Sequence, residues 1–153
     1  MTEIAEPKTE IYDPKAFNPK TGIGRLVAGV RVKFMDALDA ELEPFDITSA
    51  QYVILMNLAT GADSASGLCK GVSYDPGAMT RMIDRLERKG FVRRVRSPED
   101  RRVVNLALTE EGKAVYPKLV ARAAAATNRR LRGFTKAEAQ QLESFLQRML
   151  VND

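Results

Sequence analysis

A cluster of arginines is the feature of this sequence with the clearest chemical potential. Between residues 81 and 102 the chain carries nine basic and four acidic residues, a local net charge of +5, whereas the whole chain of 153 residues carries only +4. Such an excess is typical of a surface that contacts a phosphate backbone, although a basic run can also be a solvated face of the protein. The basic residues are Arg81, Arg85, Arg88, Lys89, Arg93, Arg94, Arg96, Arg101 and Arg102.

The sequence offers few groups for catalysis or metal binding. It contains no histidine and one cysteine, Cys69, which excludes most zinc sites and most Ser-His or Cys-His nucleophile systems. We therefore expect no enzyme activity, no metal and no cofactor. Cys69 has no partner for an intramolecular disulfide, which fits a reducing cytoplasm. We expect it to be a small core residue rather than a redox sensor.

Nothing in the sequence predicts a membrane-spanning or exported segment. No run approaches the roughly 20 apolar residues that span a bilayer, and residues 1–10 lack the apolar stretch of a secretory signal. With 44% hydrophobic and 29% charged residues, the composition predicts a globular domain with a core, located in the cytoplasm.

Helical periodicity precedes the arginine cluster. Residues 1–20 contain three prolines and predict an extended or loosely packed arm. Apolar residues then recur at helical spacing over about 22–44. Thr48 and Gln51 form a capping-box pattern that predicts a helix through about Ala59. Because this helix is apolar on almost every side, we expect other elements to surround it.

A second helix-start signal leads into the cluster. Asp75 as N-cap and Pro76 at the first helical position predict a helix that stops at Gly90. One face is apolar and is assigned to the core; it consists of Met79, Met82, Ile83 and Leu86. The opposite face carries Gly77, Thr80, Arg81, Asp84 and Arg88.

Two strand-like runs follow this helix. They cover residues 91–96 and 103–108, and a polar, turn-forming segment, 97–102, joins them. The middle of the chain therefore has the order of a helix-turn-helix followed by a two-stranded wing. An α-helix fits the major groove of DNA with its first residues at the base edges, and a basic hairpin tip beside it can reach the adjoining minor groove.

Two more helices are predicted after the wing. Thr109 caps a helix that runs to about Arg132, in which Pro117 should cause a kink or a later start. A capping-box pattern, Thr135 with Glu138, begins the last helix. The last helix carries an apolar stripe formed by Leu142, Phe145, Leu146, Met149 and Leu150.

The middle of the chain resembles MarR-type transcriptional regulators. The stretch from Asp75 to Arg94, DPGAMTRMIDRLERKGFVRR, is similar to their recognition helix and first wing strand. The continuation, SPEDRR followed by LTEEG at residues 108–112, is similar to their wing signature, an Asp-x-Arg tip followed by Leu-Thr-x-x-Gly. These motifs cover about 40 residues, and the flanking helices extend the resemblance over nearly all of the chain after residue 20.

The resemblance implies a fold and an organisation. The fold class is mainly α (α+β), a winged helix-turn-helix with N- and C-terminal dimerisation helices. The expected parts are an N-terminal arm, 1–20, a helical dimerisation region, 21–46 and 109–153, and a DNA-binding lobe, 47–108. Members of this family are homodimers that bind pseudo-palindromic double-stranded DNA, usually as repressors, and small aromatic or phenolic anions release them.

The resemblance also assigns roles to residues. The helix start from Pro76 to Arg81 would read the major groove. Asp100 would orient Arg102, together with Arg94, and Arg102 would enter the minor groove. Pro76 and Ala78 depart from the hydroxyl or polar residues of many relatives. The complete set of expected DNA-binding residues is Pro76, Gly77, Ala78, Thr80, Arg81, Arg94, Asp100, Arg101 and Arg102.

An effector site is expected in a crevice between the dimerisation helices and the DNA-binding lobe. Tyr52 and Met56 would line it, and Arg31 or Lys33 would pair with a carboxylate of the small aromatic acid. The alternative is that Tyr52 and Met56 simply pack and that the two cations face water. A second function class also remains open at this point, a winged-helix module that binds an acidic protein or RNA without sequence-specific DNA binding.

Overall fold

Helices and one two-stranded sheet form the computed structural model, which describes residues 11–62, 64, 68, 75–97 and 104–152. The helices are α1 (Ile23–Leu42), α2 (Ser49–Ala59), α3 (Pro76–Arg88), α4 (Glu110–Arg130) and α5 (Lys136–Val151), and a 3-10 turn (Glu43–Phe45) follows α1. The strands are β1 (Val92–Arg96) and β2 (Val104–Leu108). This order confirms the predicted α+β class. None of the described helices is both long and apolar enough to cross a bilayer.

The chain divides into two compact units, residues 1–33 and residues 34–153. In the described part of the first unit, residues 11–21 are all exposed. Short local turns order this arm, with the Gly22 amide donating to the Asn18 carbonyl at 3.2 Å. The rings of Tyr12 and Phe17 meet edge to face, with their centroids 5.2 Å apart.

Helix ends in the second unit lie where the sequence supplies caps. At α2 the Thr48 hydroxyl accepts from the Gln51 amide at 3.2 Å, and the Gln51 side chain accepts from the Thr48 amide at 3.1 Å. The same reciprocal pair, Thr135 and Glu138, begins α5. The hydrogen bonds from Thr135 also lower the pKa of the Glu138 carboxyl. Both predicted capping boxes are therefore confirmed.

Helix α2 lies at the centre of the core of the second unit. Every residue from Ser49 to Leu58 is buried or half-buried, and α2 packs against α3, β2 and α4. This confirms the prediction of a helix surrounded on several sides. Its neighbours supply most of the other buried side chains of the core, which include Ala37, Leu38, Leu42, Met79, Ile83, Leu86, Val92, Leu106, Leu119 and Ala126.

Helix α4 tolerates an internal proline. It starts at Glu110, directly after its N-cap Thr109, and continues through Pro117 to Arg130. The predicted later start is therefore wrong, because the Thr109 cap and the packing of Leu119, which is fully buried, outweigh one lost backbone hydrogen bond. A kink at Pro117 remains a prediction.

The base of the wing and the start of α4 are joined through backbone contacts. The Thr109 amide donates to the Phe91 carbonyl at 3.0 Å, and the Thr109 hydroxyl donates to the Gly90 carbonyl. The same hydroxyl accepts from the Gly112 amide at 3.0 Å. A Cβ on Gly112 would overlap the Phe91 carbonyl oxygen and lie 3.3 Å from the Phe91 Cα. The threonine of the Leu-Thr-x-x-Gly pattern thus serves hydrogen bonding, and its glycine has a steric cause.

Gly112→Ala is expected to lower the free energy of unfolding by about 3 kcal/mol, since backbone must move on one side of the contact. The measurement is urea unfolding followed by far-UV circular dichroism. Gly24→Ala in α1 is the matched control, because a Cβ at Gly24 meets none of the described neighbours within 4 Å, and alanine favours a helix by about 0.5–1 kcal/mol. Equal stability of Gly112→Ala and the wild type would contradict the steric account.

Candidate nucleic-acid interface

The first turn of α3 presents the residues expected to read DNA. The Asp75 carboxylate accepts from the Ala78 amide at 3.0 Å and so caps the helix. Pro76, Gly77, Thr80 and Arg81 are exposed, and Ala78 is half-buried. The Thr80 hydroxyl donates to the Pro76 carbonyl at 2.9 Å, which leaves its oxygen lone pairs available as acceptors. The structure therefore brings the predicted α3 residues together on one accessible end.

Burial of the opposite face fixes the orientation of α3. Met79, Ile83 and Leu86 are at most 3% exposed, and Met82 packs against the same core. The predicted core face is confirmed. Because residues three and four positions apart share a helix face, this burial forces Gly77, Thr80 and Arg81 outward.

The Arg81 side chain lies close to the start of α3. A Cβ on Gly77 would lie 3.1 Å from the Asp75 carboxylate oxygen and 3.5 Å from Arg81 Nη1. The guanidinium is thus folded back along the exposed first turn. The positive end of the helix dipole lies at the same place and is partly balanced by the Asp75 carboxylate that caps the helix.

The wing is an antiparallel ribbon beside α3. Val92 pairs with Leu108, Arg94 with Leu106, and Arg96 with Val104. Val92 and Leu106 are buried, whereas the side chains of Arg93, Arg94 and Arg96 are exposed. Asp100, Arg101 and Arg102, expected at the tip, lie outside the described residues, and so does Cys69.

Arg94 forms ion pairs with two carboxylates of α3. Its Nη2 lies 2.6 Å from the Asp84 carboxylate, and its Nη1 pairs with Glu87. The hydrogen bond to Asp84 and the charges of both carboxylates raise the pKa of Arg94. The resemblance places Arg94 among the DNA-binding residues, where it would help Asp100 to orient Arg102, and it gives Glu87 no role. The sequence does contain a signal for this pairing. Asp84 and Glu87 lie three residues apart on one helix, and Arg94 follows on the next strand.

A second ion pair anchors the other end of α3. Lys89 Nζ lies 2.7 Å from the Asp46 carboxylate and also donates to the Asp46 carbonyl. Asp46 has a left-handed backbone, φ 53°, and ends the 3-10 turn before α2. These residues border a polar cavity of about 410 Å³, lined by Asp46, Thr48, Gln51, Arg85, Arg88 and Lys89. The expected effector residues do not line this cavity.

The expected effector residues fall into two groups. Arg31 and Lys33 are exposed on α1 in the first unit, while Tyr52 and Met56 are half-buried on α2 in the second. The Tyr52 ring stacks on Tyr116 of α4, with centroids 6.5 Å apart and an interplanar angle of 18°. Burial, and to a smaller degree the neighbouring Tyr116, raises the pKa of the Tyr52 hydroxyl.

Tyr52 should be a late-titrating residue among the four tyrosines of the chain. Its pKa is raised above the unfolded value of about 10. Its contribution to stability is therefore complete below pH ~10 and is lost as the pH rises through the folded pKa. In a tyrosinate absorbance titration of the native protein, Tyr52→Phe should remove a step that lies above pH ~10. Persistence of the step in Tyr52→Phe would contradict the assignment.

Comparisons with known proteins identify the relatives of this chain. The model of the MarR family matches residues 47–104. The multiple antibiotic resistance protein MarR of Salmonella typhimurium is 35% identical over 136 residues, which cover 88% of this chain and 94% of the relative. The MarR protein of Escherichia coli is 41% identical over 100 residues, 65% of this chain and 69% of the relative.

Solved structures agree with the sequence comparison. Apo MarR of Escherichia coli superposes with a TM-score of 0.76 at 34% identity, covering 84% of this chain and 97% of that one. A mutant of the same protein in complex with operator DNA gives a TM-score of 0.74 at 35% identity, with coverage of 83% and 92%. The predictions of a winged helix-turn-helix and of a regulator rather than an enzyme are confirmed by these relatives. The chain belongs to the MarR family of DNA-binding transcriptional regulators.

Proposed function

We propose that this protein is a homodimeric repressor that binds a pseudo-palindromic operator in the cytoplasm. The observation that carries the proposal is the exposed start of α3, where Thr80 and Arg81 project from the second turn of a helix whose other face is buried. A relative that is 35% identical has been solved in complex with operator DNA. Helices of this kind enter the major groove with their N-terminal residues at the base edges.

Each group at the interface has a chemical task. Arg81 offers a forked donor to guanine or to a phosphate, and Thr80 offers an acceptor to a base amino group. Gly77 and Ala78 allow the backbone to approach the groove. Arg102, held by Asp100 with Arg101 beside it, would enter the narrow minor groove, where negative potential favours arginine.

The dimer is proposed from the apolar residues that the single chain leaves uncovered. In α5, which the structure describes throughout, no residue is buried, and its apolar stripe is 37–84% exposed. In α1, Ile23, Leu26 and Val30 are 44–60% exposed. Covering such surfaces is favourable by roughly 25 cal/mol per Å². A second copy that covers the dimerisation region, 21–46 and 109–153, would also place two recognition helices one helical turn of DNA apart.

A small aromatic or phenolic acid is the proposed effector. Tyr52, which stacks on Tyr116, and Met56 would supply an apolar, aromatic wall for such an acid. Release of DNA requires that the acid binds one dimer geometry more tightly than the other. A tenfold loss of operator affinity needs a difference of about 1.4 kcal/mol between the two geometries.

A gel-shift titration against the region upstream of the protein's own gene tests the function. It is repeated at several salt concentrations and with a panel of benzoate-like and pyridine carboxylates. Sequence preference with a steep salt dependence supports the repressor. Salt-sensitive binding without any sequence preference would favour the alternative, a winged-helix module that binds an acidic protein or RNA.

Arg81→Ala should weaken operator binding at least tenfold, because it removes a groove contact worth about 1–3 kcal/mol. Fluorescence anisotropy with a labelled operator measures the affinity. Lys15→Ala removes one positive charge from the exposed N-terminal arm, outside the DNA-binding lobe and the dimerisation region, and serves as the control, with a change below threefold. Equal losses in the two variants would mean that only overall charge matters.

Phe145→Asp should convert the dimer into a monomer at micromolar concentration, since it puts a charge on the apolar stripe of α5. Sedimentation velocity measures the mass. Gln147→Asp is the matched control, because Gln147 is exposed on α5 outside the stripe and its substitution adds the same charge. A dimer in both variants would remove the α5 stripe from the interface.

A further inference from the structure

The side chain of Arg94 joins the wing to the recognition helix through ion pairs. Arg94 of β1 is 38% exposed and pairs with Asp84 and Glu87 of α3. We infer that Arg94 is a positioning residue, which holds the wing at a fixed angle to the recognition helix and does not itself contact DNA. This inference rests on the proposed DNA-binding function and gives Arg94 a different role from Arg81.

The guanidinium of Arg94 binds two carboxylates through its two terminal nitrogens. Nη2 bonds to Asp84 at 2.6 Å, and Nη1 bonds to Glu87. Asp84 and Glu87 are three residues apart, so their side chains neighbour each other on one face of α3. A planar guanidinium with divergent N–H groups can satisfy both carboxylates at once, which a lysine ammonium does less well. Both terminal nitrogens of Arg94 therefore point at α3.

The charge balance argues against a phosphate contact by Arg94. Arg94 and its two carboxylates together carry a charge of −1, and Asp84 and Glu87 are themselves 46% and 38% exposed. Arg88 lies on the same face of α3, but its Nε is directed to the Asp84 carbonyl. A phosphate that approached Arg94 would also approach two negative groups. Arg93, its exposed neighbour on β1, lies instead where its charge acts on Glu110 at the start of α4.

The two roles predict opposite effects of removing the carboxylates. If Arg94 contacts phosphate, Asp84→Asn with Glu87→Gln frees the arginine and removes repulsion, so DNA affinity rises. If Arg94 positions the wing, the same pair of isosteric substitutions releases the wing, so affinity falls although the protein has become more positive.

The experiment is fluorescence anisotropy with the labelled operator over a series of salt concentrations. We expect Arg94→Gln and the Asp84→Asn/Glu87→Gln pair each to weaken binding about tenfold. The slope of log affinity against log salt should stay unchanged for Arg94→Gln, whereas loss of one phosphate contact lowers it by about 0.9. Arg93→Gln, which removes the same charge from the next residue, is the control. A lower slope for Arg94→Gln, or tighter binding by the carboxylate variant, would overturn the inference.

A measurement without DNA separates this inference from the proposed function. In urea unfolding, the effects of Arg94→Gln and of the carboxylate pair should overlap, so that the triple variant has the same midpoint as Arg94→Gln. Independent, additive shifts would show that the ion pairs do not act in solution and would overturn the positioning role. If the wild-type protein bound no DNA, the proposed function would fail. The Arg94 pairing would be refuted separately, by additive shifts of the urea-unfolding midpoint.

Discussion

Burial of one face of α3 is the constraint on which the rest of the structure depends. Met79, Ile83 and Leu86 are held in the core against α2, and the helix cannot rotate without exposing them to water. The outward direction of Thr80 and Arg81 follows from that burial. Two further contacts stabilise the position of α3. Asp75 caps its first turn, and Lys89 at its other end pairs with Asp46.

Local patterns in the sequence were sufficient for most of the fold. Capping residues, helical periodicity and strand propensity each act within a few residues, so Thr48, Asp75 and Thr135 could be placed as helix starts before the structure was known. The later start considered at Pro117 was wrong, because packing around Leu119 and the Thr109 cap depend on contacts that a proline rule ignores. Tertiary packing, rather than the position of the proline, therefore sets where α4 begins.

The candidate site was predictable only in outline. A count of arginines treats Arg81 and Arg94 alike, yet the fold leaves Arg81 exposed near the start of α3 and pairs Arg94 with carboxylates seven and ten residues away. Lys89 and Asp46 lie 43 residues apart in the sequence, so patterns that act within a few residues cannot predict their pairing. The wing base also meets α4 directly, through Thr109 and Gly112 against Phe91, which gives the DNA-binding elements a rigid connection to the helix proposed for dimerisation.

Hydrogen exchange of the protein with and without its operator tests the central claim most directly. Amides near the end of a helix open more readily than those at its centre, so their exchange reports whether DNA covers them. The account predicts that DNA slows exchange over Gly77–Arg81 and along the β1–β2 ribbon while leaving α5 unchanged. Slowed exchange confined to other elements, with the first turn of α3 unaffected, would contradict it.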